Sequence, residues 1–351
     1  MVRKINKKMY PDQKGYQRPA EWEKHYGTWM SYPHETQTFF EKLDDVRNTY
    51  VELIKVIAQG EIVHVNVCDK EMKADLEKRL KKKKVTGNVK IHIFPTNDAW
   101  CRDHGAIFIK NRKNNNVAAT CWKFNSWGGK YPHDLDESIP GKMAEYLKMD
   151  RYETGMILEG GSIEVNGNGV CLATESCLLN PNRNHDMSRE EIEGELQKYL
   201  GVKKILWLGE GITGDDTDGH IDDITRFVNE TTLLTVVEEE QSSIDFEPLK
   251  ENLNRLITYT DIEGRPFNIV TLPMPDPVMY KGNMLPASYA NFYIANSAVI
   301  VPTFNCWQDK AALDIIGRYF PDRKVVGIDS SDVVIGLGSF HCLTQQIPKE
   351  G

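Results

Sequence analysis

The stretch GLGSFHCLTQQ, residues 336–346, places a single cysteine, Cys342, between glycines and polar residues. Glycines allow the end of a strand to bend sharply and let the backbone approach a ligand closely. A free cysteine is more often a small buried hydrophobe. Here the polar neighbours on both sides favour a thiol that is presented as a nucleophile.

Three other polar clusters that contain glycine lie far upstream of this stretch. They are WCRDHG at 100–105, EGGS at 159–162 and DDTDGHIDD at 215–223. With Cys342 they supply a thiol, at least one histidine and several carboxylates, an inventory that suits chemistry on a guanidinium group. If one site draws on residues from 98 to 342, a domain boundary between them would divide that site. We therefore predict one domain, 1–351, although length alone favours two.

The hydrophobic pattern alternates short apolar strands with amphipathic helices. The predicted helices recur about every 50–65 residues, and they cover 38–59, 70–83, 138–149, 188–200, 246–259 and 308–320. The predicted strands are 62–67, 89–94, 106–109, 117–122, 155–165, 170–174, 204–208, 221–228, 233–237, 267–272, 292–295, 298–302 and 325–328. A period of about 60 residues resembles a repeated supersecondary unit. We therefore expect β-β-α-β units around one axis.

The charge of the chain limits the class of partner. The formal net charge is −8 and the pI is about 5.7. A nucleic-acid-binding protein needs a positive surface, so this balance disfavours nucleic acid and mildly favours a small cationic ligand. The basic run at 78–84 is an exception that indicates a solvated helix end, with an anionic partner as the alternative.

The cysteine count indicates a reducing compartment. The seven cysteines show no CxxC pair and no ligand-like spacing with histidine. In a chain of 351 residues this pattern is typical of reduced thiols in a cytoplasmic protein. No apolar stretch follows the basic N-terminus MVRKINKK, residues 1–8, so we expect no signal peptide. No apolar run approaches the length of a membrane span, so no membrane partner is predicted.

Asp103 lies directly after Arg102, at the start of a predicted strand. An ion pair between these two residues, or a turn-forming aspartate, is the simpler interpretation. Asn97 and Trp100 favour a pocket instead, because a tryptophan can wall a site and stack on a planar guanidinium.

His220 and Asp222 lie two residues apart in a predicted strand. Side chains with that spacing point to the same face, so the two would form an acid–base pair with a cation holder beside Gly219. A structural His–Asp pair and a zinc site are the alternatives, and no matching His or Cys ligand pattern supports zinc. Arg226 lies an even number of residues from His220 and Asp222, so a straight strand would point its side chain to the same face.

Glu159 follows three apolar residues, so its carboxylate is expected to be partly buried and to need a partner. A guanidinium substrate could be that partner, and an exposed acid at a strand end is the alternative. Cys342 needs a lowered pKa or a base to act as a thiolate. His341 is adjacent, but adjacent strand residues point apart, so His220 is the preferred partner of the thiol.

The motifs taken together resemble one family. The chain is similar to the agmatine deiminases of the bacterial peptidyl-arginine-deiminase-like family, within the guanidino-group-modifying superfamily. The resemblance rests on GYQRPAEWE at 15–23, TWM at 28–30, NDAWCRD at 97–103, FNSWGG at 124–129, EGGS at 159–162, NPNRN at 180–184, TDGHID at 217–222, ASYANFY at 287–293 and FHCLTQQ at 340–346.

This resemblance implies a fold and a set of catalytic roles. The fold is the pentein five-bladed β/α propeller, with the site on its axis. Cys342 attacks the guanidinium carbon, ammonia leaves, and water hydrolyses a covalent thiouronium intermediate. Asp103 and Asp222 hold the guanidinium nitrogens, His220 shuttles protons, and Glu159 fixes or polarises His220.

The resemblance also implies partners. The substrate is a small cationic guanidino compound, agmatine, which gives N-carbamoylputrescine in polyamine biosynthesis or agmatine breakdown. Trp100, Trp127, Asn97 and Asp216 are the predicted substrate-binding residues. No metal or organic cofactor is needed, and a homo-oligomer, dimer or tetramer, is expected.

Three other functions stay open. A deiminase of peptidyl arginine or of another guanidine is the first, and it would need a cation for a carboxylate. Arg226 could supply that cation, although an internal salt bridge with Glu230 or Asp216 is the favoured interpretation. An amidinotransferase would need an amine as acceptor. A catalytically silent relative is disfavoured by the intact Cys342 and His220.

Overall fold

The computed structural model describes residues 9–85 and 88–351. Residues 1–8, on which the expected lack of a signal peptide depends, lie outside the described residues. The chain is a mixed α/β protein in which helices and short strands alternate, as the hydrophobic pattern predicted. Along the described chain, no helix combines the length and the apolar character needed to cross a membrane.

The longer helices coincide with the six helices predicted from the sequence. The helices are α1 (Thr36–Phe39), α2 (Leu43–Ile57), α3 (Lys70–Lys82), α4 (Cys101–His104), α5 (Ser126–Gly129), α6 (Ile139–Leu147), α7 (Glu175–Leu178), α8 (Pro181–Asn184), α9 (Arg189–Leu200), α10 (Phe246–Leu256) and α11 (Gln308–Gly317). The predicted capping box at the start of α9 is present, because Ser188 and Glu191 each bond the other's backbone N–H.

The strands carry the rest of the regular structure. They are β1 (Tyr16–Gln17), β2 (His25–Ser31), β3 (Ile62–Val67), β4 (Val89–Ile93), β5 (Ile107–Asn111), β6 (Val117–Lys123), β7 (Asp150–Ile157), β8 (Ile163–Val165), β9 (Val170–Thr174), β10 (Lys204–Leu208), β11 (Thr225–Asn229), β12 (Thr232–Val237), β13 (Asn268–Pro273), β14 (Met279–Tyr280), β15 (Asn283–Met284), β16 (Tyr293–Ile294), β17 (Ala298–Thr303), β18 (Lys324–Asp329) and β19 (Thr344–Pro348). Among the strands of the described chain, the sequence pattern missed β1, β2, β14, β15 and β19.

Five sheets of the described chain share one strand order. In each, the first two strands are antiparallel, and the third is parallel to the second and follows it through a helix. A parallel pair needs such a crossover, and a helix supplies it. The five sets are β5-β6-β7, β8-β9-β10, β11-β12-β13, β16-β17-β18 and β19-β2-β3. The last joins the two ends of the described chain, because β19 pairs with β2.

Two predicted strands are wrong at the positions that matter most for the site. The predicted strand 155–165 is interrupted by a 3-10 turn at Gly160–Ser162, and 221–228 begins with another at Ile221–Asp223. The carboxylate of Asp215 accepts hydrogen bonds from the backbone N–H groups of Thr217 and His220. These bonds bend the chain before β11 and prevent an extended start.

Candidate active site

Cys342 lies in the turn that precedes β19, and its side chain is only 7% exposed. The side-chain amide of Asn291 contacts this turn through both its oxygen and its nitrogen. Its Oδ1 accepts a hydrogen bond from the backbone N–H of His341 at 2.9 Å, and its Nδ2 donates to the Sγ of Cys342 at 3.1 Å. Asn291 therefore fixes the thiol, a role that the sequence reasoning missed although the residue lies in the 287–293 motif.

The glycines of the opening stretch let Trp100 approach the backbone. A Cβ atom built on Gly338 would lie 2.6 Å from Cζ3 of the Trp100 indole, and one on Gly336 would lie 2.8 Å from Cζ2. The indole ring also packs against Phe39, with 5.8 Å between ring centroids. Trp100 thus forms a wall against the segment that leads to Cys342.

Asp222 contacts both the thiol and the neighbouring histidine. Its Oδ2 lies 2.5 Å from Nδ1 of His341 and 3.9 Å from Sγ of Cys342. The expectation that His341 points away from the site is wrong, because residues 340–343 form a turn and not a strand. The alternation of side chains that holds in a strand does not apply there.

His220 approaches the two carboxylates that the sequence assigned to the site. Its Nδ1 lies 3.8 Å from Asp103 Oδ1 and 4.0 Å from Asp222 Oδ1. The argument from strand parity was wrong, because residues 221–223 form a 3-10 turn, yet the turn still brings the side chains together. Burial and the nearby Arg183 hold the pKa of His220 well below its usual value, so the imidazole is neutral.

Asp103 lies in α4 and is held by two hydrogen bonds. Its Oδ1 accepts from the backbone N–H of Gly161 at 2.9 Å, and its Oδ2 accepts from Nε1 of Trp127 at 3.0 Å. Burial, followed by the charge of Glu159, raises the pKa of Asp103 to about 7. The simpler expectation, a pair with Arg102, is wrong, because that guanidinium bonds to Glu21 and to other groups.

Gly161 is the point on which three of these side chains converge. A Cβ atom there would lie 2.6 Å from Nδ1 of His220, 2.9 Å from Asp103 Oδ1 and 3.0 Å from Asp222 Oδ2. Real Cβ atoms do not tolerate such distances, so only glycine allows this arrangement. The GG pair in the 159–162 motif was the signal that could have identified this residue.

Glu159 is fully buried, and its partner is a residue of the chain itself. Its Oε1 accepts a hydrogen bond from Nε of Arg183 at 2.6 Å. Arg183 lies in the NPNRN motif, and its guanidinium also pairs with Asp218. The sequence expected a substrate guanidinium as this partner, whereas in the structure Arg183 neutralises Glu159 behind His220.

The electrostatics of the site disfavour a free thiolate. Burial, followed by the charges of Asp222, Asp223 and Asp103, raises the pKa of Cys342 well above its usual value. Burial and Asp103 likewise raise the pKa of Asp222. The site holds an excess of acidic groups, and a cation that enters it would relieve their mutual repulsion.

Two predicted binding residues lie at the edge of this arrangement. Asp216 accepts a hydrogen bond from the hydroxyl of Tyr131 at 2.7 Å and lies 3.3 Å from Nζ of Lys130. The amide of Asn97 bonds to residues 134–136 and so orders the surrounding loop. Substrate contacts by these two residues stay predictions.

Arg226 does not reach the site as a free cation. Its guanidinium is fully buried, and it pairs with Glu21 at 3.0 Å and Glu164 at 3.2 Å. The sequence was right to favour an internal salt bridge, but it named Glu230 and Asp216 as partners. The structure therefore brings Cys342 to Asp222, and His220 to Asp103 and Asp222, and it leaves Arg226 and Asn97 in supporting positions.

Among residues 9–85 and 88–351, two groups of side chains have donors close enough for a metal ion. Glu159, Cys177 and His220 form one group, and Asp222, Asp223 and Cys342 form the other; within each group the donor atoms lie within 4.8 Å of one another. Glu159 is already bonded to Arg183, and Asp222 to His341. The absence of a metal or cofactor stays a prediction from the sequence.

Known proteins resemble this chain over nearly its full length. A family model described as Porphyromonas-type peptidyl-arginine deiminase matches residues 17–348. A protein of Legionella pneumophila, provisionally named agmatine deiminase, is 36% identical and covers 98% of both chains. A Latilactobacillus sakei protein with the same provisional name is 34% identical over 96% of this chain and 97% of its own. The solved agmatine deiminase of Enterococcus faecalis superposes with a TM-score of 0.92 at 32% identity, and it covers 98% of this chain and 99% of that one.

Proposed function

Because the chain belongs to the Porphyromonas-type peptidyl-arginine deiminase family, as its motifs predicted, we propose that it hydrolyses agmatine to N-carbamoylputrescine and ammonia. The observation that carries this proposal is the convergence of Asp103, Asp222 and His220 around Gly161, with the thiol of Cys342 3.9 Å from Asp222. Two carboxylates beside one thiol suit a planar cation whose carbon is the electrophile.

The substrate itself makes the thiolate available. Without a cation, burial and the surrounding acidic groups hold the pKa of Cys342 well above its usual value, so the thiol is the favoured form. A guanidinium bound between Asp103 and Asp222 adds a positive charge beside the sulfur and stabilises the thiolate. The thiolate then attacks the guanidinium carbon. The two carboxylates keep that carbon electrophilic because they keep the guanidinium group protonated. The nucleophile is therefore formed only when its target is in place.

His220 carries the protons of both half-reactions in this proposal. Its neutral imidazole accepts the proton of the Cys342 thiol and passes it to the leaving nitrogen, so that ammonia departs and a thiouronium remains on Cys342. It then takes a proton from the water that attacks this intermediate, and the ureido product leaves the thiol. Glu159, which is ion-paired with Arg183, has a carboxylate oxygen within 4.8 Å of a ring nitrogen of His220 and helps to position that ring.

The buried state of Arg226 favours agmatine over arginine. Arginine differs from agmatine by one carboxylate, which needs a cation at the far end of the pocket. Arg226 is already paired with Glu21 and Glu164, so it does not serve that carboxylate. We assign Asp216, whose side chain is 35% exposed, to the far ammonium of agmatine, and Trp100 and Trp127 to the walls of the pocket.

The arrangement of the sheets supports a further part of the proposal. We propose that the five sheets of equal strand order form the blades of a pentein propeller, and that 1–351 is one domain. The site supports this arrangement because its residues come from segments as far apart as Asp103 and Cys342. The homo-oligomer and the cytoplasmic location stay predictions from the sequence.

The experiment that tests the function is ammonia release from the purified protein with agmatine, free arginine and a peptide with a C-terminal arginine in parallel. We expect turnover of agmatine alone. Turnover of arginine or of the peptide would contradict the substrate and favour the peptidyl-arginine alternative. Turnover only in the presence of an added amine would indicate an amidinotransferase instead.

A further inference from the structure

Both ring nitrogens of His341 face carboxylates. Nδ1 lies 2.5 Å from Asp222 Oδ2, and Nε2 lies 2.8 Å from Glu21 Oε2. The ring is 1% exposed, so water does not separate these groups. A neutral imidazole has one N–H and can donate to only one of two carboxylates. One of the two contacts therefore holds a further proton.

Glu21 is the carboxylate that stays ionised. It lies 3.0 Å from Arg226 and 3.2 Å from Arg102, and it also accepts a hydrogen bond from the backbone N–H of Ile294 at 2.8 Å. Although burial opposes ionisation, the charge of Arg226, together with the hydrogen bond from His341 and the charge of Arg102, holds the pKa of Glu21 well below its usual value. Nε2 of His341 therefore carries hydrogen and donates it to Glu21.

The second proton lies between His341 Nδ1 and Asp222 Oδ2, because two lone pairs cannot face each other at 2.5 Å. Burial and Asp103 raise the pKa of Asp222, while burial, Arg102 and Arg226 lower the pKa of His341. Both directions favour a proton on Asp222 in the free protein. Asp222 is a neutral acid that donates to His341, and a neutral acid cannot pair with a guanidinium.

We propose that His341, supported by Glu21, takes the proton of Asp222 when a guanidinium binds. The O–H bond of Asp222 breaks and an N–H bond forms at Nδ1 of His341, so no proton leaves the protein. The imidazolium that results lies between two carboxylates, and Asp222 becomes the anion that the substrate needs. His341 acts through Asp222 and is a positioning residue. This inference rests on the proposed function.

The other charged groups around His341 do not supply this proton. Arg102 and Arg226 stay cationic at any pH near neutrality, and Cys342 can be removed by substitution. Asp103, with a pKa of about 7, is mostly ionised at pH 8. Asp223, which lies beside Asp222 and whose pKa burial and Asp222 also raise, is present in every variant. At pH 8 the difference between Cys342→Ala and the same protein with His341→Gln therefore reports on the Asp222–His341 proton.

The test is titration calorimetry of agmatine into Cys342→Ala at pH 8, in buffers of different ionisation enthalpy. We expect almost no proton release in this parent. In Cys342→Ala with His341→Gln, the glutamine amide cannot take the proton of Asp222, so agmatine binding should release about one proton. The affinity for agmatine should then rise about tenfold for each unit of increase in pH. His25→Gln in the same parent is the control, because His25 is another buried histidine bonded to a carboxylate, Glu61 at 3.1 Å.

Release of about one proton by the parent would overturn the inference, and so would an unchanged proton count after His341→Gln. If the double variant does not fold, the number of protons that Cys342→Ala releases on binding agmatine decides whether the inference stands. A parent that binds no agmatine at all would instead overturn the proposed function, so the two failures are distinguishable.

Discussion

At the scale of single residues, Cys342 lies where its thiolate is strongly destabilised. Burial, followed by the surrounding acidic groups, raises the pKa of the thiol well above its usual value. A reactive thiol in an empty site is exposed to oxidants and other electrophiles. A thiol that ionises only beside a bound cation avoids this hazard, and it couples nucleophile formation to substrate binding.

We expect Cys342→Ala to abolish ammonia release while agmatine still binds. The two carboxylates that hold the guanidinium remain, and only the attacking sulfur is lost. Ammonia assay and titration calorimetry on the same preparation check the two halves of this statement. Cys306→Ala is the control, since Cys306 lies beside Tyr289 and away from Asp222. Turnover by Cys342→Ala near the wild-type rate would exclude the covalent scheme.

Gly161→Ala should damage the site without unfolding the protein. The new Cβ would lie 2.6 Å from His220 Nδ1 and would displace the histidine or a carboxylate. A misplacement of about 1 Å can cost about 10²-fold in rate, so we expect a fall in kcat/KM of that order. Steady-state kinetics together with a thermal unfolding midpoint give the measurement.

The matched control for this change is Gly155→Ala in β7. No heavy atom lies within 4 Å of a Cβ built on Gly155, so this variant should keep its kcat/KM. Equal activity of the two variants would mean that the three side chains are not held around Gly161 during the reaction.

At the scale of elements, the short segment Ser126–Gly129 controls Asp103 through an unusual backbone. Ser126 and Trp127 have φ values of 54° and 55°, a left-handed conformation that side chains rarely adopt. Such strain is stored mostly at functional sites. Here it aims the indole N–H of Trp127 at Asp103, and the Asn125 side chain, which accepts from the backbone N–H of Gly128, supports the turn.

Trp127→Phe should move the acidic limb of the pH profile to higher pH. Asp103 must be ionised to hold a guanidinium, so kcat/KM is present above its pKa of about 7 and is lost as the pH falls through it. The indole N–H stabilises the ionised form, and its loss raises the pKa further. A hydrogen bond to a charged group contributes about 1.5 kcal/mol, which corresponds to about one pH unit.

The pH dependence of kcat/KM checks this shift. Trp122→Phe is the control, because its indole donates to Thr120 and not to the site. An acidic limb at the same pH in Trp127→Phe and in the wild type would remove Asp103 as the group that titrates.

At the scale of the whole molecule, buried charges join segments that are distant in the sequence. Glu21 pairs with Arg102 and Arg226, and Arg226 pairs in turn with Glu164. Arg102 also donates its backbone N–H to the carbonyl of Cys342 at 3.0 Å. The network lies directly behind the site, so its integrity holds His341 and the nucleophile in place.

Arg226→Met should destabilise the fold and leave substrate choice unchanged. It leaves Glu21 and Glu164 buried without this cation, and breaking a buried pair in this way typically costs about 3–5 kcal/mol. Urea unfolding gives the free energy, and the ratio of agmatine to arginine turnover gives the selectivity. A gain of arginine turnover, or a shift in selectivity at full stability, would make Arg226 a binding residue.

Arg255→Met is the control for the loss of an arginine. Arg255 pairs with Glu175 and Glu251 at the surface, where such pairs contribute about 1 kcal/mol or less. We therefore expect a small change in the free energy of unfolding for this variant, and a large one only for Arg226→Met.

Local periodicity by itself predicted the six longer helices and most of the strands, but not β2 or β19. Apolar spacing and a capping box predicted α3 and α9 to within a residue or so at each end, because those signals act over one or two turns. The types of residue in the motifs also determined the chemistry, since a thiol, a histidine and several carboxylates have few common uses. Cys342, His220, Asp103 and Asp222 were predicted as site residues on that basis, and their catalytic roles stay predictions.

Only the tertiary structure decided which side chains meet. The sequence reasoning set His341 aside and did not single out Asn291 or Glu21, because each acts through a contact across the fold and not through a neighbour in sequence. Residues 21 and 341 meet through side-chain contacts across the fold: the Glu21 carboxylate bonds to His341, accepts from the backbone N–H of Ile294, and pairs with Arg226. Local patterns fix backbone conformation over a few residues, whereas the geometry of this site depends on pairings across more than 300 residues.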